Sequence, residues 1–218
     1  APALVRSFVT PNFDSILSYC FVDDFDIQDA ALQVVYHHVG LSNGPDFRTN
    51  LFEICYSHLK PEPSSANRGA LFIAKMLVKM NLTTEQTNSL ILMITTFLTI
   101  QDEMVLNLCS EILFTIFDQG NVHISFHLMK NLCISMLKTI QRLPDSITLF
   151  NLFNKIFELT PEEIFPKNII LDFVNDIFTK QKASQRHGYS LLLNVLKRDP
   201  QTLVSFKVPI KNSTTIHF

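Results

Sequence analysis

The chain has 218 residues, a formal net charge of −2 and a sequence pI of about 6.4. Apolar residues make up 47% and charged residues 17%, which excludes the composition of an intrinsically disordered protein. The chain has only five glycines, so classes built on phosphate-binding loops or tight hairpins are disfavoured. This length indicates one domain with a sizeable core.

Turn and cap signals divide the first 82 residues into four predicted helices. Asp23 and Asp24 close the first helix, and Gly40 with the turn at 41–45 closes the second. Pro61 and Pro63 stop the third. The predicted helices span residues 12–22, 26–40, 45–59 and 64–81.

Residues 83–120 carry the clearest helical signals. Thr83 and Gln86 have the spacing of a capping box. Between residues 101 and 118, apolar pairs recur every four positions, which predicts a helix with one buried face, and Gly120 is its expected C-cap. The expected buried stripe is Met104, Val105, Leu108, Cys109, Ile112, Leu113, Ile116 and Phe117. The expected solvent side includes Gln101, Asn107, Ser110, Glu111 and Asp118.

The C-terminal part also has a helical pattern. Pro144 ends a predicted helix over 122–143, and Asp145 is expected to cap the next helix. A paired apolar stripe over 169–178 and a last segment over 184–198 predict two more helices. Residues 207–218 contain Pro209 and a polar run, which predicts an extended tail.

The spacing of the predicted helices indicates a repeat. Helix starts fall near residues 26, 45, 64, 83, 101, 122, 145 and 167, so a helix pair recurs about every 38 to 45 residues. In this period and in its apolar stripes, the chain resembles a HEAT/armadillo-type α-solenoid over about 170 residues. It lacks a repeated Pro, Asp and Arg signature.

The predicted fold class is therefore all-α, with about nine or ten helices stacked as antiparallel pairs in a HEAT/armadillo-like α-solenoid. An irregular helical bundle is the alternative. We expect residues 1–206 to form a single helical-repeat domain, followed by the tail at 207–218. We also expect the chain to be a piece of a larger protein.

Motifs for catalysis are missing from the sequence. It contains no GxSxG, P-loop, GxGxxG or HExxH pattern. His123 and His127 have the spacing of a zinc pair, but no third ligand stands at a supporting spacing. The four cysteines form no CxxC pair and lie in apolar stretches, so we expect reduced core thiols. We expect no enzymatic activity, no cofactor and no metal ion.

Charge is distributed unevenly along the chain. Residues 1–63 carry a net charge of −5 and residues 64–178 of −3, whereas residues 179–218 carry +6. Lys182 and Arg186 precede or open a helix, where positive charge is unfavourable, so we expect them to contact an acidic protein surface or a phosphate. The candidate partner-binding residues are Lys180, Lys182, Arg186, Lys197 and Arg198.

These features favour a non-catalytic protein–protein interaction scaffold that recognises a partner through its helical-repeat surface within a multi-subunit complex. The alternative is a nucleic-acid-binding module that uses the basic C-terminal end. No apolar stretch reaches the roughly 20 residues that a membrane span needs. We expect an intracellular protein, with nucleus and cytoplasm both open and the oligomeric state undetermined by the sequence.

Overall fold

The described part of the chain is helical in a computed structural model that covers residues 2–41, 44–62, 64–100, 102–120, 123–143, 146–160, 171–172, 175, 185–198 and 200. The side chains of residues 2–8, 10, 41 and 185–188 are outside this description. These ranges hold nine helices with defined bounds and no strand, which confirms the all-α fold class. Among these residues, no helix combines the length and the apolar character needed to cross a lipid bilayer. The helices are α1 (Pro2–Tyr19), α2 (Phe25–Leu41), α3 (Pro45–His58), α4 (Ser65–Val78), α5 (Thr84–Phe97), α6 (Glu103–Asp118), α7 (Phe126–Arg142), α8 (Ile147–Leu159) and α9 (Gln185–Arg198).

The predicted helix bounds are close for α2, α3 and α4, which begin and end within three residues of the expected positions. The predicted start of α1 at residue 12 is wrong, because α1 begins at Pro2 and contains Pro11. Proline has no amide proton to donate, so a proline is a common helix boundary. In α1 the helix continues through Pro11 with that one donor missing.

The predicted cap of α5 is confirmed, whereas the C-cap of α6 is Gln119 and the predicted Gly120 lies one position beyond it. The Gln86 amide donates to Thr83 Oγ1 at 3.2 Å, and the Thr83 amide donates to Gln86 Oε1 at 3.1 Å. These reciprocal bonds satisfy two amides at the start of α5. Gly120 follows α6 with a φ of +69°, the left-handed conformation that terminates many helices.

The starts of α7 and α8 differ from the predictions. α7 begins at Phe126, four residues after the expected start at residue 122. The cap of α8 is Ser146, whose Oγ accepts a hydrogen bond from the Leu149 amide at 3.4 Å, and not Asp145. Three of the predicted features lie outside the described residues: Asp145, the apolar residues of the 169–178 stripe, and the tail at 207–218.

α6 buries most of the predicted face, since six of the eight stripe residues are buried, but the arc differs at its edges. Met104, assigned to the buried stripe, is 47% exposed. Ser110, assigned to the solvent side, is buried, and its hydroxyl donates to the carbonyl oxygen of Leu106 at 2.8 Å. α6 packs against both α4 and α5, so its buried arc is wider than a contact with one helix requires. A serine that bonds to its own backbone can lie within such an arc.

The chain divides into two compact units, residues 1–128 and residues 129–218. In the first unit, α1 packs against α2, α3 against α4 and α5 against α6, while α4 also packs against α2 and α6. Helices that follow one another in sequence therefore pack in pairs, and α4 contacts a helix of each neighbouring pair. In the second unit, α8 packs against α9. The expectation of a single domain over residues 1–206 stays a prediction.

Contacts between α4 and α6 give the relative direction of these helices. Arg68 near the start of α4 reaches the Met104 sulfur near the start of α6 at 3.9 Å. Lys75 further along α4 forms an ion pair of 2.5 Å with Glu111 of α6. Both contacts join residues 36 positions apart, so α4 and α6 lie side by side and run in the same direction.

The second unit contains contacts of similar separation. The Asn154 side chain of α8 contacts the side chains of Ser190 and Asn194 on α9, which are 36 and 40 positions away. The separation of 40 positions lies within the predicted interval of 38 to 45 residues, and that of 36 lies just below it. The contacts are consistent with a stacked solenoid and also with the irregular bundle, so the structure shows the all-α class without separating the two.

The cysteines lie in the core, as predicted. Cys20, Cys55, Cys109 and Cys133 are all buried and free. Burial raises the pKa of Cys20 from 9.0 to about 12 and that of Cys133 to about 11, because a buried thiolate loses its hydration. Burial also raises the pKa of Cys55 and of Cys109 well above 9.0. These thiols therefore stay protonated at neutral pH.

Candidate partner-binding surfaces

The predicted basic surface is only partly within the described residues. Lys180 and Lys182 lie outside them. Arg186 lies in the first turn of α9, where the backbone alone is described. Lys197 is exposed in the last turn of α9, beside Arg198. The grouping of these five cations into one binding surface stays a prediction.

The structure gives Arg198 partners within the chain. Its guanidinium donates to the carbonyl oxygen of Thr160 at 2.5 Å and to that of Glu158. The same group lies 4.7 Å from the centre of the Phe157 ring. These partners end α8, where backbone carbonyls lack amide donors and the helix dipole favours a cation. Arg198 therefore joins the end of α9 to the end of α8.

A second candidate surface lies in the first unit, where the N-terminal ends of α2, α4 and α6 meet. These three ends surround an open cleft of about 700 Å³, a volume within the range of known ligand sites. The cleft combines carboxylates, one arginine and large apolar side chains. It is lined by Val22, Asp23, Asp24, Phe25, Gln28, Ser64, Ser65, Arg68, Asp102, Met104 and Val105.

Buried polar and backbone contacts fix the floor of this cleft. The Gln28 side chain is 1% exposed, and its Nε2 donates to the carbonyl oxygens of Cys20 and Ser65, both at 2.9 Å. These bonds tie the turn after α1 to the start of α4. Gly69 permits the approach, since a Cβ atom at this position would overlap the Cys20 carbonyl oxygen. The helix ends around the cleft are thus held in place by packing that tolerates no added side chain.

Two of the cleft carboxylates cap helices. Asp24 Oδ1 accepts a hydrogen bond from the Ile27 amide at 3.1 Å, and Asp102 Oδ1 accepts one from the Val105 amide at 3.1 Å. Short polar side chains before a helix satisfy amides of the first turn in this way. Ser64 occupies the same place before α4, and its side chain makes no capping hydrogen bond. Capping therefore explains the positions of Asp24 and Asp102 but not that of Asp23.

The apolar part of the cleft is exposed. Phe25, the first residue of α2, is 60% exposed, and Met104 in the first turn of α6 is 47% exposed. Arg68 lies between them, with its guanidinium carbon 3.9 Å from the centre of the Phe25 ring and Nη1 3.9 Å from the Met104 sulfur. A stacked guanidinium and a thioether are both favourable neighbours of an aromatic ring. Large apolar side chains with this exposure offer contact area to a partner.

The electrostatic balance of the cleft is negative. Asp23, Asp24 and Asp102 line it, and Asp26 and Glu103 stand in the adjoining first turns. Against these five carboxylates stand Arg68 and three helix N-termini, each equivalent to about half a positive charge. The negative charge exceeds the positive by roughly two and a half units. Among the described residues, Arg68 forms no close ion pair with a carboxylate of the cleft.

The sequence reasoning missed this cleft. It read Asp23 and Asp24 as the end of a helix, and it placed Met104 on a buried stripe. One local signal was available: in Asp24-Phe25 and in Glu103-Met104 an acid at a helix start is followed directly by a large apolar residue. In the structure both of these apolar side chains are exposed. The pairing of the two starts depends on the packing of α2, α4 and α6, which periodicity alone does not reveal.

The described residues contain no group of three or more His, Cys, Asp and Glu side chains placed to hold a metal ion. The arrangement at the cleft is suited to recognition by charge and apolar contact. Comparisons with known proteins complete the description. Neither the scan against protein-family models nor the searches of curated proteins and of solved structures found a match.

Proposed function

We propose that this chain is a non-catalytic interaction scaffold that recognises a partner protein through the surface of its stacked helices, as part of a multi-subunit assembly. The observation that supports the proposal most strongly is the open cleft of about 700 Å³ at the start of α2, α4 and α6. Successive helices of a repeat protein build continuous recognition surfaces in this manner. Function then depends on the groups that line the surface.

The sequence separation of the contacts also supports the proposal. Helix pairs that repeat about every 36 to 40 residues place equivalent helix ends side by side, as the Arg68–Met104 and Asn154–Ser190 contacts do. A small number of large side chains usually supplies most of the binding energy in a protein interface. Phe25 and Met104 are exposed side chains of this kind.

The test is affinity purification with the tagged chain from cell extract, followed by quantitative mass spectrometry. The proposal expects at least one protein captured near stoichiometry and enriched over the tag alone. The matched control is the chain with the cleft substitutions Phe25→Ala and Met104→Ala. Capture of no stoichiometric protein in repeated purifications would contradict the proposed function.

Nucleic-acid binding is the second candidate, and the charge distribution favours it in the second unit. Residues 129–218 carry twelve basic and seven acidic side chains, a net of +5, whereas residues 1–128 carry six and thirteen, a net of −7. Arg198 keeps its positive charge, but its guanidinium already donates to backbone carbonyls within the chain, so fewer of its donors are left for a phosphate. Binding to random RNA or DNA with a steep dependence on salt concentration would favour this candidate.

A further inference from the structure

We propose that the cleft at the start of α2, α4 and α6 binds a short peptide segment that carries Lys or Arg next to a large apolar residue. The inference rests on the proposed function, and it adds the chemical class of the partner. It joins two properties of the cleft: an excess of carboxylates and an exposed pair of large apolar side chains.

Charge complementarity selects the basic side chains of the peptide. Asp23, Asp26 and Glu103 are exposed, and none of these carboxylates forms an ion pair with another described residue. Asp24 and Asp102 accept backbone hydrogen bonds through one carboxylate oxygen each, and a carboxylate has further acceptor sites. Complementary charge raises the rate of association and penalises acidic competitors. A phosphate group would face the same carboxylates, so the cleft disfavours it.

The exposed pair Phe25 and Met104 selects the large apolar residue of the peptide. Phe25 and Met104 are contributed by helices α2 and α6, which flank α4 on its two sides. Arg68 covers one face of the Phe25 ring, and 60% of the side chain is still exposed. An apolar residue of the peptide can insert beside Phe25 and Met104, while its basic neighbours reach the carboxylates at the rim. Interfaces place large apolar anchors at their centre and charged groups at their edge in this way.

The experiment measures binding of a fluorescein-labelled peptide by fluorescence anisotropy at low salt. The probe is a ten-residue peptide in which arginine or lysine alternates with leucine or phenylalanine. One comparison peptide replaces the apolar residues with serine, and another replaces the basic residues with glutamate. We expect the basic–apolar peptide to bind most tightly and its affinity to fall as the salt concentration rises.

The cleft variant is Asp23→Asn, Asp24→Asn and Asp102→Asn in one chain. Asparagine keeps a side-chain oxygen that can cap a helix, so the variant removes charge without removing the caps. The control variant is Asp14→Asn, Asp46→Asn and Glu53→Gln, which changes the net charge equally at exposed positions outside the cleft. We expect the cleft variant to weaken binding about tenfold and the control to weaken it less than about twofold.

A second variant, Phe25→Ala with Met104→Ala, tests the apolar contact independently of the caps and should weaken binding by at least about tenfold. The proposal is overturned by equal losses in the two charge variants, by equal binding of the serine peptide, or by no binding of the basic–apolar peptide. A concentration-dependent dimer that the cleft variant abolishes would overturn it in favour of a second copy of the chain. A cellular partner captured equally well by the cleft variant refutes the cleft and leaves the proposed function standing.

Discussion

Arg68 and Arg198 both place a guanidinium against a phenylalanine ring, but at opposite ends of a helix. Arg198 is the last residue of α9, and its guanidinium reaches the end of α8. There it donates to two backbone carbonyls and covers the Phe157 ring. Arg68 lies in the first turn of α4, where it covers Phe25 and contacts the Met104 sulfur. The helix dipole and the unsatisfied carbonyls explain the first position, since both favour a cation at a helix end.

Neither reason applies to Arg68. The N-terminal end of a helix disfavours a cation, and Arg68 contacts the Phe25 ring and the Met104 sulfur, two groups of low polarity. Its neighbours Asp23, Asp24 and Asp102 line an open cleft instead of pairing with it. Arg198 stabilises the fold, because its stacked guanidinium also donates to two backbone carbonyls. Arg68, which lies among carboxylates and exposed apolar side chains, lines the open cleft instead.

The two units also differ in buried thiols, three in residues 1–128 and one in residues 129–218. Each folded thiol has a raised pKa, so above pH 9 the unfolded chain releases protons that the folded chain retains. Stability should therefore fall as the pH rises from 9 to 11, by about 1.4 kcal/mol per pH unit for each thiol. Urea unfolding at pH 8, 9, 10 and 11 measures how the free energy of unfolding changes with pH. Cys109→Ala should make that decrease less steep by the contribution of one thiol. An unchanged slope in that variant would contradict the assignment.

The floor of the cleft should tolerate substitution poorly. In Gly69→Ala the new Cβ overlaps the Cys20 carbonyl oxygen, so α1 and α4 must separate. We expect a loss of about 3 kcal/mol in the free energy of unfolding, at the upper end of overpacking effects. The control is Gly40→Ala, because no atom lies within 4 Å of a Cβ at that helical position. That change should be neutral or stabilising by up to about 1 kcal/mol. Similar urea midpoints for the two variants would show that α1 and α4 are not in close contact.

The two arginines should differ in their contribution to stability. Arg198→Met removes the donors to Thr160 and Glu158, leaves their carbonyls without this partner, and should cost about 1–3 kcal/mol. Arg68→Met removes a partly exposed contact with Phe25 and should cost less than about 1 kcal/mol. Thermal unfolding of the two variants measures the difference. A larger loss for Arg68→Met would reverse the comparison.

Arg68→Met should have a second, smaller effect of opposite sign on binding. Arg68 is a positively charged side chain in the lining of an acidic cleft. Its removal therefore makes the cleft more negative. Methionine retains an apolar side chain beside Phe25 and Met104. We expect the basic–apolar peptide to bind about two- to fivefold more tightly, the size of one exposed charge interaction. Anisotropy titration measures this change, and weaker binding in the variant would indicate that Arg68 itself contacts the ligand.

The all-α class and most helix bounds followed from the sequence because caps and apolar periodicity act locally. The capping box of Thr83 and Gln86 and the left-handed Gly120 involve residues that are close along the chain. The buried face of α6 was harder to predict, because two helices pack against it and draw Ser110 inside while leaving Met104 exposed. A single apolar stripe contains no information on how many neighbours a helix has.

The cleft could not be predicted for a related reason. Its residues come from three helix starts that are adjacent only after α4 packs against α2 and α6. The predicted basic residues were chosen by charge along the chain, and that criterion does not distinguish Arg198, which completes a helix end, from Lys197, which is exposed. Arg198 donates to backbone carbonyls that lie about 40 positions away in sequence, such as that of Glu158, so the local sequence does not reveal these partners.

The most direct test of the cleft as the binding surface is methyl NMR of the six methionines during titration with the basic–apolar peptide. Met104 lines the cleft, while Met129 and Met136 are buried in the second unit. Binding at the cleft should shift the Met104 methyl resonance in a saturable manner and leave those of Met129 and Met136 unchanged. Saturable shifts of Met129 or Met136 with a stationary Met104 resonance would contradict the account.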